Sequence, residues 1–311
     1  MKGHRDVLVI GGSTYDTTCV VLGEPIPKDS NPSRIYGGCG GVGRNIAENT
    51  ARMGMHTALM TAFGTDAFSK EIAESCNRVG IDLSRSFVSE NAGAGKYISI
   101  IDGEGELLLG ASDLGLIEAV DPAYFTRDVR YLNSFSSLLV DANNTEEMLT
   151  AVAGAYKGRI FADAVSIKKA PRLRSVLNRL DTVKVNRGEL AGLSGKPVGN
   201  DRQIREAAEY LISEGVHHVF VTKGTDGASC FDGETVYSVP SFPVNVVNAT
   251  GAGDAFSAAV LYGSMRGYSS ADTLLLGTAA SHIALTSGYA VSGDMTEEHL
   301  LNTFRAFRKK K

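Results

Sequence analysis

Short runs of aliphatic and β-branched residues alternate along this chain with longer stretches in which apolar positions return every three or four residues. The runs at 7–10, 57–61, 138–141, 160–163, 182–185 and 219–222 have the pattern of strands buried on both faces. Between them the spacing predicts helices over 45–53, 68–79, 145–156, 170–180 and 202–214. Alternation of this kind predicts an α/β protein whose parallel sheet is covered by helices on both faces. The final third departs from it. Segments 228–232 and 235–239 flank Gly233 and predict a hairpin, and helices follow from Gly253, Ser270 and Thr296.

Two further segments break the rhythm. Residues 97–101 and 106–109 surround Asp102-Gly103-Glu104-Gly105, a hairpin signal, and 19–22 and 34–36 bracket a loop rich in Pro, Asp, Ser and Asn. By pattern alone they read as ordinary edge strands. The chain shows no repeat, low-complexity tract or linker, so 1–311 reads as one domain.

With 311 residues and 43% hydrophobic content, there is enough apolar material for a large core. Thirty-five acidic against 31 basic residues leave a net charge of −4, and the one basic cluster is the tail Lys309-Lys310-Lys311. Nucleic acid is therefore not an expected partner. The cysteines Cys19, Cys39, Cys76 and Cys230 lie far apart, and the histidines lack metal spacing, which argues against a zinc site and a disulfide framework. No apolar run reaches the ~20 residues of a membrane span, so a membrane partner is not expected either. The run 7–10 is too short for a signal-peptide core, and the expectation is a cytoplasmic enzyme.

The chemistry concentrates in Asn248-Ala249-Thr250-Gly251-Ala252-Gly253-Asp254-Ala255-Phe256, which follows the β-like run Val244-Asn245-Val246-Val247 and opens an apolar segment ending near Met265. Strand, glycine-rich turn and helix in that order make an anion site, because glycines admit close backbone approach and first-turn N–H groups point outward. Asp254 places a carboxylate inside that nest. It could be an acid favoured by the helix dipole, or the base that deprotonates a hydroxyl beside a phosphoryl group. Gly-Ala-Gly directly before it favours the base.

Three other segments end predicted strands or open helices. Gly37-Gly38-Cys39-Gly40-Gly41-Val42-Gly43-Arg44-Asn45 is glycine-rich, but the strand after it ends near Ala62-Phe63 without the carboxylate a dinucleotide fingerprint needs. In Lys184-Val185-Asn186-Arg187-Gly188-Glu189, Asn186 and Glu189 fit either a helix capping box or a hard cation that keeps its waters. Thr222-Lys223-Gly224 closes the next strand, and Asp16 follows the turn Gly11-Gly12-Ser13.

The 248–254 stretch resembles the Asp-Thr-x-Gly-Ala-Gly-Asp signature of the ribokinase-like superfamily of carbohydrate and nucleoside kinases, and the resemblance extends over nearly the whole chain. It implies a three-layer α/β sandwich with a mostly parallel central sheet and a small β lid, here at about 14–36 and 94–112, often used to form a homodimer. It implies ATP and Mg²⁺ as cofactors. Asp254 then matches the catalytic base, and Gly251, Ala252 and Gly253 match the anion hole. Gly41, Gly43 and Asn45 match ribose contacts, and Asp16 matches the acid that takes two sugar hydroxyls. Asn186 and Glu189 match the element that orders Mg²⁺ and its waters. Thr222 and Gly224 match phosphate contacts, with adenine between 237–242 and the helix holding Thr278 and His282. Asn248 departs from the signature, which carries Asp there, a residue that helps bind K⁺ in many relatives.

Within the superfamily, Asp29-Ser30-Asn31-Pro32, Gly40-Gly41-Val42-Gly43-Arg44-Asn45-Ile46-Ala47 and Asp163-Ala164-Val165-Ser166-Ile167-Lys168 resemble the pseudouridine kinases. The last is similar to their Asp-Pro-Val-Ser-x-x-Lys element, with Ala164 in place of Pro. The resemblance implies phosphorylation of the 5′-hydroxyl of pseudouridine, with Ser30, Asn31, Asn143 and Lys168 around the base and Asn143 also near the ribose. Ribose, adenosine, inosine or uridine are alternative acceptors, and a silent sugar-binding regulator is an alternative of another class. The intact Asp254 argues against the regulator.

Overall fold

The structure, a computed structural model, describes residues 5–233 and 235–310; Lys311, the end of the basic tail, lies outside them. The strands are β1 (Arg5–Ile10), β2 (Thr14–Val21), β3 (Ser33–Gly40), β4 (Thr57–Met60), β5 (Ala62–Phe63), β6 (Phe87–Val88) and β7 (Gly95–Ile101). They continue with β8 (Leu107–Asp113), β9 (Phe135–Asp141), β10 (Arg159–Asp163), β11 (Leu180–Asn186), β12 (His218–Thr222), β13 (Ala228–Phe231) and β14 (Val236–Val239). The main sheet runs β14-β13-β12-β11-β10-β9-β1-β4. Its strands from β4 through β12 are parallel, and β13 and β14 turn back as the predicted hairpin.

Consecutive side chains on these strands serve two different cores. Leu8, Ile10, Leu138 and Val140 join the cluster on one face, while Val7, Val9 and Leu139 join the cluster on the other. Both faces are covered by helices, which is why the strands lack polar alternation. Polar residues enter where the parallel strands end, at Asp141, Asp163, Asn186 and Thr222. In an open α/β sheet that carboxyl edge is where ligands bind.

A separate sheet, β3-β2-β7-β8, forms the lid. Its β7–β8 turn is pinned by Asp102, whose Oδ1 accepts from the N–H groups of Glu104 and Glu106, both at 2.9 Å. One face of the lid leaves Ile35, Ile98 and Leu109 exposed.

Two expectations need correction. The helix predicted at 170–180 is a 3-10 helix, Ala170–Arg179, with Pro171 in its first turn, where it has no N–H to give. The run Val244-Asn245-Val246-Val247 is not a strand. Pro240 and Pro243 cannot donate to a ladder, and Val247 N–H bonds instead to Leu285 O at 2.8 Å.

Candidate active site

The helix Ala252–Met265 starts at Gly251, whose φ of 83° suits glycine. A Cβ on Gly251 would stand 1.8 Å from the carbonyl oxygen of Ala290, and one on Gly253 would stand 3.0 Å from Lys184 Nζ. The turn is thus closed from outside by backbone and from below by an ammonium. Asp254, in the first turn, accepts a 2.8 Å hydrogen bond from Asn45 Nδ2. Burial and the negative charge of Asp163 push its carboxyl up to about 7, against the Asn45 hydrogen bond and the charge of Lys184. A carboxylate poised near neutrality in the mouth of an anion site is equipped as a general base.

Beneath the turn lies a buried polar group contributed by successive strand ends. Asp163 Oδ2 accepts from Ser257 Oγ at 2.6 Å and from Lys184 Nζ at 3.3 Å. Burial would lower the Lys184 ammonium, but Asp163, Glu189 and Asp254 together raise it above its ordinary value, so it stays charged. Asp141 Oδ2 accepts from Gly12 N–H at 2.9 Å and from Asn143 Nδ2 at 3.0 Å. Burial pushes the Asp141 carboxyl up to about 6 in spite of these bonds.

On one side of the turn, Asp16 accepts from Thr14 Oγ1 at 2.5 Å, and burial raises its carboxyl against the pull of Thr14 and Arg44. Gly41 opens the helix Val42–Arg52 at φ 95°, and a Cβ on it would strike Gly12 O at 2.6 Å. A Cβ on Gly43 would lie 2.7 Å from the backbone of Gly11, so these glycines press the loop onto the end of β1. Asn45 is drawn to Asp254 on one side and takes a hydrogen bond from Arg44 Nη1 at 3.0 Å on the other.

Asn143 is buried beside Asp141, and its Oδ1 accepts from Lys169 Nζ at 2.8 Å. Here the sequence reading is off by one position. Counted along Asp163-Ala164-Val165-Ser166-x-x-Lys, the motif lysine is Lys169, while Lys168 is exposed. Ser30 is also exposed, and the Asn31 amide is spent within its own loop: Oδ1 accepts from Ile26 N–H at 2.7 Å, and Nδ2 donates to Ile26 O at 2.9 Å. As found, Asn31 shapes the turn before Pro32.

On the other side of the turn lies a cleft of about 600 Å³ that gathers Thr222, Gly224, Gly253, Thr278, His282 and Phe242. Phe242 stacks on Phe307 at 3.6 Å, giving the cleft an aromatic wall. Asn186 and Glu189 form a capping box on the helix Arg187–Ser194: Asn186 Oδ1 accepts from Glu189 N–H, and Asn186 N–H donates to Glu189 Oε2 at 2.7 Å. Among the described residues no cluster of three His, Cys, Asp or Glu side chains could hold a metal by itself. One carboxylate whose oxygens already accept hydrogen bonds fits a hydrated Mg²⁺ held mainly by phosphates.

With this geometry in place, comparison with known proteins identifies the class. Residues 4–297 match the pfkB family of carbohydrate kinases, and the chain belongs to that family. It is 28% identical over 305 residues to the pseudouridine kinase of Escherichia coli (strain K12), covering 97% of each chain. It is 27% identical over 270 residues to a deoxyribokinase of Salmonella typhi, covering 81% of this chain and 83% of that one. Among solved structures, an Arabidopsis thaliana ribokinase complexed with ribose and ATP superposes with a TM-score of 0.87 at 23% identity, over 97% of this chain and 99% of that one. A carbohydrate kinase from Agrobacterium tumefaciens gives 0.81 at 25% identity, over 97% of both. The ribokinase-like fold is therefore the fold of this protein.

Several polar residues around the turn have no role in the sequence analysis: Asp163, Lys184 and Arg44 stand there only as members of longer motifs, and Asp141 and Lys169 are not singled out. A signal for Asp141 and Asp163 was present, since each is an acid ending an apolar run, Leu138-Leu139-Val140-Asp141 and Ile160-Phe161-Ala162-Asp163.

Proposed function

We propose that the protein transfers the γ-phosphoryl group of ATP to the 5′-hydroxyl of pseudouridine, giving pseudouridine 5′-phosphate. The observation that carries the phosphotransfer is Asp254, a base poised near neutrality at the helix N-terminus between the 600 Å³ cleft and Asn45. In this reading ATP lies in the cleft, its phosphates at Thr222 and Gly224 and its adenine by Phe242 and Thr278. The ribose lies on the other side, against Asp16 and the loop of Gly41 and Gly43. A carboxylate there accepts a vicinal diol in two directional bonds.

Asp254 takes the hydroxyl proton as the hydroxyl oxygen bonds to the γ-phosphorus and the bond to the β-phosphate oxygen breaks, leaving ADP. The amides around Gly251, Ala252 and Gly253 stabilise the transferring group, with the Lys184 ammonium behind them. Mg²⁺ neutralises phosphate oxygens when bound, and Glu189 and Asn186 would hold it through water.

Pseudouridine as acceptor is supported by the 28% identity over 97% of both chains with the Escherichia coli enzyme, and by the Asn143–Lys169 pair beside the sugar site. A panel of pseudouridine, uridine, adenosine, inosine and ribose, with ATP consumption and product mass as readouts, tests it. Pseudouridine should have the highest kcat/KM, and ribose or another nucleoside ahead of it overturns the substrate assignment. We also propose a cytoplasmic homodimer, paired through the exposed lid residues Ile35, Ile98 and Leu109. Light scattering at micromolar concentration should give twice the chain mass, and a monomer overturns this part.

A further inference from the structure

The helix Val42–Arg52 carries Arg44, Glu48 and Arg52 one turn apart. Glu48 receives Arg52 Nε on Oε1 at 2.7 Å and pairs with the Arg44 guanidinium through Oε2. Arg44 is 5% exposed. Its Nη1 donates to Asn45 Oδ1 at 3.0 Å and to Cys39 O at 3.2 Å, and its Nη2 donates to Ser75 Oγ at 3.1 Å. Asn45 in turn donates from Nδ2 to Asp254 Oδ2 at 2.8 Å. An amide has one accepting and one donating end. With the accepting end held by a guanidinium that does not lose its proton, only the donating end is left to face Asp254.

We infer that Arg44 is a positioning residue for phosphoryl transfer: it fixes the Asn45 amide so that Asn45 presents its donating end to Asp254 and favours the carboxylate over the acid. The inference rests on the reading of Asp254 as the base. An amide free to turn by 180° would offer Oδ1 to a protonated Asp254 and stabilise the acid, which cannot accept the hydroxyl proton. The charged groups bearing on Asp254 are Asp163 from β10, Asp141 from β9 and Lys184 from β11, with Glu189 next to Lys184 and Asp16 of β2 near Arg44. None of them selects which end of the amide Asp254 meets. The Arg44 fork does.

The test is the pH dependence of kcat/KM for the best acceptor of the panel, measured on the parent, Arg44→Met, Asn45→Ala and the double variant. Arg44→Met should raise the pKa of the acidic limb by about one unit, lowering kcat/KM roughly tenfold below it and restoring most of the loss above pH 9. In the Asn45→Ala background, Arg44→Met should move the limb no further, because its effect runs through the amide. Should Arg44→Met fail to fold, Arg44→Lys, which keeps the charge but loses the fork, should show the same shift at about half the size. A limb unmoved by the Arg44 change, or moved equally when Asn45 is alanine, overturns the inference. An Asp254→Asn variant that keeps parental turnover would instead sink the base assignment on which it rests.

Discussion

Gly251→Ala gives a prediction whose size can be worked from geometry. The substitution has two costs. At φ 83° an L side chain is strained, by about 1–2 kcal/mol. The new methyl would also stand 1.8 Å from Ala290 O, roughly half an ordinary carbon–oxygen contact, so the turn or the 290 segment must move by more than an ångström. A shift of that size carries the Asp254 carboxylate and the first-turn amides off line, and a misplacement of about 1 Å costs on the order of 10²-fold in rate. Gly80 provides the control within the same molecule. Its φ is 78°, yet a Cβ there meets nothing within 4 Å, so Gly80→Ala carries the strain without the clash. Gly80→Ala should lower Tm by roughly 1–3 °C and leave kcat/KM within about twofold. Gly251→Ala should lower kcat/KM by about 10²-fold or more at 25 °C, where both variants remain folded by circular dichroism. Equal activity of the two variants would refute the argument that the close approach to Ala290 shapes the site.

The remaining predictions concern protons, cations and the base. With Asp254 ionising at about 7 and needed as the carboxylate, kcat/KM should fall about tenfold per pH unit below that value and level off above pH 8; a flat profile down to pH 5.5 contradicts it. Because the folded state raises this carboxyl, its ionisation costs stability as pH rises from its unfolded value toward 7, so Asp254→Asn should melt higher than the parent at pH 8, with the gain fading by pH 4 in a thermal scan. Asn248 Oδ1 accepts from Thr250 N–H at 2.9 Å and carries no charge, so replacing Na⁺ with K⁺ should change the rate by less than about threefold, and a tenfold rise would count against this. Pseudouridine should exceed uridine in kcat/KM by at least about tenfold, and Asn143→Ala or Lys169→Met should narrow that gap; an unchanged ratio in both variants removes the pair from base recognition.

What was legible in the sequence divides along physical lines. The strands of the main sheet were readable because burial on both faces leaves unbroken apolar runs, as in Val7-Leu8-Val9-Ile10. The lid hairpin was readable because Asp102 and Gly105 mark its turn. The run at 244–247 misled because β-branched composition suggests a strand, but a strand needs a partner, and two prolines deny it one. Candidate residues in local motifs, such as Gly251, Asp254, Thr222 and Gly224, are legible from the sequence, and the structure gathers them around one turn and its cleft. The polar group beneath them was not found. Asp163, Lys184 and Ser257 come together only through the parallel register of β10 with β11 and the docking of the helix above them, which no spacing along the chain encodes. The Asn45–Asp254 bond spans 209 positions and is hidden for the same reason.

The central claim is that Asp254 removes the proton from the acceptor hydroxyl during phosphoryl transfer from ATP. Steady-state kinetics of Asp254→Asn with pseudouridine and Mg-ATP tests it most directly. The amide keeps the shape and can still accept from Asn45, so KM for pseudouridine should stay within about threefold while kcat falls by roughly 10²–10⁴-fold. A kcat within about threefold of the parent would contradict the assignment.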